Sequence, residues 1–138
     1  MPAPHKNKTF ATLLATVLGG LGAHRFYLRG ARDRAGWLHL ACLPAALAIA
    51  LLAPGQNWFF KLLPITASWI AAFIEALVLG LTPDEQWDST HNNASGRQSA
   101  SNWPLALLLV GTLLVGAITL IAFIARLFDL LYTGGAYG

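Results

Sequence analysis

Residues Trp103–Leu131 read WPLALLLVGTLLVGAITLIAFIARLFDLL and carry no charged side chain before Arg126. A helix needs about 20 predominantly apolar residues to cross a bilayer. This stretch is longer, so it predicts a transmembrane helix over residues 103–133. The whole chain agrees, because 56% of its 138 residues are hydrophobic and only 11% are charged, against about 25% charged in soluble domains.

The composition and the scattered reactive side chains exclude several classes of protein. Disordered chains are poor in apolar residues, so the composition excludes a disordered protein. The single cysteine, Cys42, has no disulfide partner in the chain, which excludes a disulfide-linked scaffold. Four of the nine Lys and Arg residues lie in the short segment Arg25–Arg34, as basic residues that flank membrane spans do. We therefore expect no nucleic-acid partner. Because we find no nucleophile–base pair and no metal-ligand spacing of histidines, we expect no catalytic residues, no metal, no cofactor and no enzymatic activity.

Three further apolar runs precede residue 103. They predict transmembrane helices over residues 10–28, 35–53 and 58–81, after a polar N-terminal tail over residues 1–9. The first run, Phe10–Ala23, has 14 residues, so it needs the following residues as well to cross a bilayer. The sequence thus predicts an all-α polytopic membrane protein with four transmembrane helices and both termini on one side.

The first run has a second interpretation. A lysine-containing start, an apolar run and small residues around Ala23 also imitate a cleaved signal peptide. Cleavage after Ala23 would place Leu21 at the third position before the cut, which is a poor residue there. We therefore favour a retained helix.

Thr82–Asn102 is the long polar stretch between the third and fourth predicted helices. Its Thr-Pro-Asp-Glu sequence at 82–85 has the residues of a capping box with proline at the first helical position. This predicts a short interfacial helix over residues 83–90, with Trp87 as its anchor at the membrane surface. Residues 89–102, rich in Ser, Asn, Ala and Gly, predict a flexible polar linker.

Glu75 is the one acid that lies well inside a predicted span. It precedes Leu81 by six residues, or about 9 Å at 1.5 Å per residue, and His24, Arg25 and His39 reach a similar depth from the same membrane face. A charge in hydrocarbon costs ~3 kcal/mol on insertion scales, so we expect Glu75 to pair with Arg25 or with His39. The alternative, Glu75 reaching the interface alone, is weaker because its side chain is short. We expect such a pair to be structural rather than a proton relay.

Small residues recur at a four-residue spacing along the first predicted helix. They are Ala11, Ala15, Gly19 and Ala23. This spacing puts them on one helical face, where another helix can approach closely. We interpret this face as a packing surface for a membrane-protein partner or a second copy of the chain.

The basic residues suggest an orientation only weakly if the chain crosses four times. Arg25, Arg29, Arg32, Arg34 and Arg97 would lie on one face, and Lys6, Lys8, Lys61 and Arg126 on the other. The densest cluster is the Arg25–Arg34 loop, and short loops carry most weight in the positive-inside rule. We therefore expect this loop in the cytoplasm and both termini outside.

The residues around the first loop resemble a known family. Leu18-Gly19-Gly20-Leu21-Gly22-Ala23-His24-Arg25-Phe26-Tyr27-Leu28 closely resembles the signature of the TM-two (two-transmembrane-helix) domain family, an apolar helix ending in glycines and then His-Arg-Phe-Tyr-Leu-Gly. Trp69 and Glu75 resemble its second half, and the acidic stretch 84–88 looks like bacterial members. The resemblance covers about Lys6–Asp88, which predicts a TM-two-like domain over residues 10–88.

The resemblance departs from the family pattern in two places and implies little about activity. Arg29 precedes Gly30 where the family has glycine, and the stretch 35–81 is long enough for two helices. The family implies a multi-pass protein, here of a bacterial inner membrane, with no generally established biochemical activity.

We hypothesise two functions from the residues. The first is a structural, scaffolding or regulatory membrane protein that works through partners within the lipid bilayer. The alternative is a small transporter or channel component that uses a polar cluster of Arg25, His39 and Glu75.

Overall fold

A computed structural model of the protein describes residues 2–137, and this part of the chain folds into helices without strands. Within it, three helices are long and apolar enough to cross a membrane: α3, α4 and α6. The protein is therefore an all-helical integral membrane protein. The helices are α1 (Lys8–Leu18), α2 (Ala23–Arg29), α3 (Arg34–Leu52), α4 (Trp58–Leu81), α5 (Asp84–His91) and α6 (Trp103–Tyr132).

Asparagine or aspartate precedes α1 and each of the three long helices. The side chain of Asn7 accepts a hydrogen bond from Phe10 N at 3.0 Å, and Asp33, Asn57 and Asn102 cap α3, α4 and α6 in the same way. Such a cap satisfies one of the free N–H groups of the first helical turn. The helix starts therefore follow directly from the sequence.

The predicted continuous helix over residues 10–28 is wrong, because the chain turns at its glycines. A single 3₁₀ turn, Gly19–Leu21, follows α1, and Gly22 takes a φ of 77° before α2 begins. This left-handed conformation disfavours any residue with a Cβ atom. A Cβ on Gly22 would also lie 2.6 Å from the carbonyl oxygen of Gly36.

Together, α1 and α2 form a helical hairpin whose two ends lie side by side. Lys6 Nζ donates to Tyr27 O at 2.7 Å, and Asn7 N donates to the Tyr27 hydroxyl at 2.9 Å. The start of α1 also lies beside the end of α4, since Lys8 Nζ donates to Thr82 O at 2.9 Å. We call the side of the molecule that carries Tyr27, Thr82 and both ends of the hairpin the hairpin face.

Four spanning helices are accordingly not confirmed. The hairpin stands where the first of them was expected, and three long helices remain. The start of α6 lies on the hairpin face, because Ser101 N donates to Asp84 at 2.8 Å. Its far part lies near the start of α4, where the rings of Phe59 and Phe123 are 5.2 Å apart.

The small-residue surface of α1 packs inside the chain rather than outward. Ala11 and Ala15 are fully buried, and α1 lies against α4, with Gly19 beside Ala72. A Cβ on Gly20 would overlap the ring of Trp69 at 2.2 Å. The expected partner surface on this face is therefore wrong: the close approach that small residues permit serves the packing of α1 and the following turn on α4.

The short helix α5 forms as expected, but its predicted capping box does not. Pro83 precedes the helix and makes no side-chain cap. The Thr82 hydroxyl instead donates to Val78 O at 2.7 Å, within α4. Trp87 is 1% exposed, and its ring N–H donates to Lys6 O at 3.0 Å. Trp87 thus anchors α5 to the N-terminal segment and not to the membrane surface.

The stretch predicted as a flexible linker runs back along α5 through hydrogen bonds. Asp88 accepts from Ser99 N at 2.6 Å, and Asp84 accepts from Ser101 N at 2.8 Å. Lys8 donates to both Asp84 and Ser101. The polar residues of this stretch therefore join α5, the N-terminal segment and the start of α6 into one platform on the hairpin face.

Candidate functional site

Glu75 lies where the hairpin, α3 and α4 meet. Its carboxylate projects from α4 toward His24 and Arg25 of α2 and His39 of α3. The turn at Gly22 brings α2 back along α1, and this places the first residues of α2 at the level of Glu75. We call these four residues the Glu75 cluster.

Arg25 binds Glu75 through two hydrogen bonds. Arg25 Nε donates to Oε2 at 2.9 Å, and Nη2 donates to Oε1 at 2.5 Å. The two side chains are 23% and 25% exposed. Two parallel, charge-assisted bonds of this kind fix the geometry as well as the charge, so α2 is held to α4 in one register.

Two histidines contact the same carboxylate. His24, which is 1% exposed, places Nε2 against Oε2, and His39 Nε2 lies 3.4 Å from Oε1. Both carboxylate oxygens are thereby in contact with Arg25 and with one histidine each. A carboxylate in an apolar bundle needs donors such as those of Arg25, because unpaired burial of a charge is costly.

Ser68 on α4 orients the ring of His39. The Ser68 hydroxyl donates to Gly20 O at 2.7 Å, and its oxygen lies 2.7 Å from His39 Nδ1. This chain of bonds links the glycine turn, α4 and α3.

Asp33 adds a second acid beside Arg25, at the start of α3. It accepts from Gly36 N at 2.7 Å and lies 3.7 Å from Arg25 Nη1 and 3.3 Å from Arg29 Nη1. The Gly36 N–H, and then Arg25, hold the pKa of Asp33 below its usual range. Arg25 thus bridges acids on two different helices.

The other residues of the glycine–His-Arg-Phe-Tyr-Leu motif support the hairpin. The Phe26 ring packs on Gly36 and meets the Trp37 ring edge-on at 5.4 Å. Tyr27 meets the Phe10 ring edge-on at 5.1 Å and accepts the Asn7 N–H. Leu28 lines a cavity on the outer side of α2.

Three side chains of the cluster could in principle hold a metal ion. The ligand atoms of His24, His39 and Glu75 lie within 4.8 Å of one another, and imidazole with carboxylate suits several divalent metals. Arg25, however, already binds both oxygens of Glu75. A cation would therefore have to share this carboxylate with a guanidinium, and the geometry favours the ion pair.

The sequence anticipated part of this site. The structure brings together Arg25, His39 and Glu75, which the sequence predicted as a polar cluster. The sequence placed His24 at the same depth but did not name it as a contact of the carboxylate, and it missed Ser68 and Asp33. His24 precedes Arg25 in the family motif, which was a usable signal, whereas nothing in the sequence marks Ser68.

Comparison with known proteins identifies one domain. The family model described as the TM2 domain matches residues 4–53, so the chain carries a TM2 domain that comprises the hairpin and α3. The match ends before α4, and the expected extension through Trp69 and Glu75 to Asp88 lies outside it. The bacterial subtype stays a prediction. Neither the curated proteins nor the solved structures contain a match to the chain.

Proposed function

We propose that this TM2-domain protein is a non-catalytic membrane protein that works by interaction with partners. In this proposal the Glu75 cluster has a structural role, since it holds the helices together. The observation that carries the proposal is the engagement of Glu75 by Arg25, His24 and His39, which join α2 and α3 to α4. Every charge in the cluster has a partner within the fold. Such an arrangement fixes the positions of the helices. Partners would then bind at the outer surfaces of the protein and not at the cluster.

We infer that the chain crosses the membrane three times and that the hairpin is re-entrant. Both ends of the hairpin share a face with the end of α4, so the hairpin enters and leaves on one side. Seven basic residues then lie on the hairpin face and two on the other. The first group is Lys6, Lys8, Arg25, Arg29, Arg32, Arg34 and Arg97; the second is Lys61 and Arg126.

The charge difference gives the proposed orientation. The positive-inside rule places the face richer in Lys and Arg in the cytoplasm, which here is the hairpin face. The Arg25–Arg34 loop stays cytoplasmic as expected from the sequence, but the N-terminal segment joins it, while the end of α6 lies outside. We place the protein in a cell membrane, and the resemblance to bacterial family members favours a bacterial inner membrane.

The outer side of α6 is the surface we propose for a partner. This helix is the least buried of the three long ones, and a side chain added at Gly111 would meet only open space within the chain. An exposed glycine allows a second helix to approach closely. A partner helix, or a second copy of this chain, fits this surface.

Cross-linking in native membranes tests the interaction. We expect the wild-type protein to form a cross-linked species. The Gly111→Leu variant should form much less of this species, because the larger side chain blocks close approach of a second helix. Ala106→Leu is the matched control, since Ala106 is also exposed on α6 but lies about 140° round the helix. Recovery of the wild type only as a monomer, or equal loss in both variants, would contradict the proposal.

The polar cluster favours one second candidate, a transporter or channel component. Glu75, Arg25 and His24 line a cavity of about 200 Å³, so ionisable groups meet an open space at membrane depth. Intramembrane ionisable residues often mark ion or substrate pathways. Ion or solute flux into reconstituted vesicles, abolished by Glu75→Gln in a folded protein, would support this candidate; flux unchanged from empty vesicles would rule against it.

A further inference from the structure

The cavity beside the Glu75 cluster has two chemically distinct halves. It lies between α2, α4 and α5 on the hairpin face and has a volume of about 200 Å³. One half, the basic half, carries Arg25, Arg29, His24 and His91, together with the carboxylate of Glu75, which is paired with Arg25. The other half is apolar, with Leu28, Ile74, Val78 and Leu79. A lining of this kind suits a ligand that is itself anionic at one end and apolar at the other.

The basic half contains one cation, Arg29, that is not part of the Glu75 cluster. Arg25 is committed to Glu75. The Arg29 side chain is 65% exposed and pairs with Asp33 through one hydrogen bond from Nη1 at 3.3 Å, so its remaining N–H groups can meet a ligand. His91 lies across the cavity, with its ring 4.5 Å from that of Trp87. Burial, and then the charges of Arg29 and Lys6, lower the pKa of His91. A histidine in such a positive environment gains from an anion beside it.

The apolar half opens toward the lipid-facing side of α4. Ile74 and Val78 are exposed by 57% and 62%, and they lie one turn apart on the same face of the helix. An acyl chain that follows these residues would remain in contact with the hydrocarbon of the bilayer. Arg29 and His91, at the ends of α2 and α5, then lie at the depth of the head groups, next to the Arg25–Arg34 loop.

We propose that this cavity binds an anionic phospholipid, with its phosphate between Arg29 and His91 and its acyl chain along Ile74 and Val78. Basic pockets at the cytoplasmic ends of transmembrane helices recognise anionic head groups, and the cytoplasmic leaflet is rich in them. That the lipid comes from the cytoplasmic leaflet rests on the orientation proposed above. Binding of the lipid rests only on the cavity, and it can be measured without knowing the orientation of the protein.

Native mass spectrometry of the full chain released from nanodiscs tests the head-group contact. The nanodiscs contain phosphatidylcholine with a minor fraction of phosphatidylglycerol. We expect phosphatidylglycerol to remain bound to the wild type and Arg29→Gln to weaken this binding about fivefold, the effect of one basic residue near a membrane surface. Arg32→Gln removes the same charge from the same loop outside the cavity and should bind like the wild type.

A second variant separates lipid binding from loss of structure. Val78→Trp fills the apolar half without changing any charge, and we expect it to reduce phosphatidylglycerol binding as well, with an unchanged circular dichroism spectrum. Equal binding of both lipids by the wild type, or equal effects of Arg29→Gln and Arg32→Gln, would overturn the proposal. Displacement of the lipid by millimolar inorganic phosphate would show a free-phosphate site instead and would overturn it too.

Discussion

At the scale of single residues, Glu75 matters most because it joins α2 and α3 to α4. Its carboxylate binds Arg25 through both oxygens and contacts a histidine on each of α2 and α3. Removing one partner of such a group leaves the other charge uncompensated in an apolar bundle. The cluster should therefore respond strongly to neutral substitutions that keep its shape.

We predict that Glu75→Gln destabilises the folded protein by about 2 kcal/mol, less than a fully buried pair would lose because part of each side chain is exposed. The glutamine keeps the shape but leaves Arg25 without a counter-charge. Thermal unfolding in detergent, followed by circular dichroism, measures the effect. Glu85→Gln is the matched control, because Glu85 is exposed on α5 and should tolerate the same loss of charge.

The double variant Arg25→Gln with Glu75→Gln sharpens this test. Removing both charges leaves no uncompensated ion, so we expect the double variant to be more stable than Glu75→Gln alone. Additive losses from the two substitutions would show that the residues do not act as a pair.

A second residue-scale prediction concerns the turn at Gly22. Gly22→Ala forces a Cβ into a left-handed conformation and against Gly36 O, 2.6 Å away. We expect a loss of at least about 1–2 kcal/mol from the conformation alone, seen as lower membrane abundance and a lower melting temperature. Gly55→Ala, where the Cβ would meet open space, should behave like the wild type; equal melting temperatures for both variants would contradict the account.

At the scale of elements, the sequence predicts the long helices well and the hairpin poorly. The expected helices 35–53, 58–81 and 103–133 correspond to α3, α4 and α6 within one residue at either end. Their apolar length and the flanking asparagines and aspartate are local signals. The hairpin depends on the φ of Gly22, and an apolar run with glycines is compatible with a straight helix as well as with a turn.

The same distinction between local and tertiary signals applies to the site. Arg25, His39 and Glu75 could be grouped from helix ends and rise per residue alone, because those features are local. Ser68 could not be grouped with them, since its bond to Gly20 O exists only once the hairpin has turned. The hydrogen bond from the buried Trp87 ring to Lys6 O is likewise a tertiary contact, and the residues next to Trp87 in the sequence do not indicate it.

The contacts of α5 lead to a pH prediction. Hydrogen bonds from Asn92 and Ser99 lower the pKa of Asp88 to about 2. A lowered pKa stabilises the folded state above the unfolded value near 3.9, and this stabilisation is lost as the pH falls through about 2. The NMR shift of the Ser99 amide should therefore titrate near pH 2. A midpoint near 4 would contradict this, and Asp88→Asn should abolish the titration.

At the scale of the whole molecule, the hairpin changes how the charges divide between the two membrane faces. With four crossings the basic residues divide five against four, so the count alone prefers no orientation. With the hairpin they divide seven against two, because Lys6 and Lys8 move to the face of the Arg25–Arg34 loop. The orientation that we propose thus depends on the turn at Gly22.

The central claim is that the chain crosses the membrane three times, so that its two end regions lie on opposite sides. Single cysteines placed in a Cys42→Ala background, at the exposed positions Pro4 and Ala136, test it by labelling intact cells with a membrane-impermeant maleimide. The account predicts that Ala136→Cys is labelled and that Pro4→Cys is labelled only after the cells are lysed. Labelling of both cysteines in intact cells, or of neither, would place both ends on one side and contradict the account.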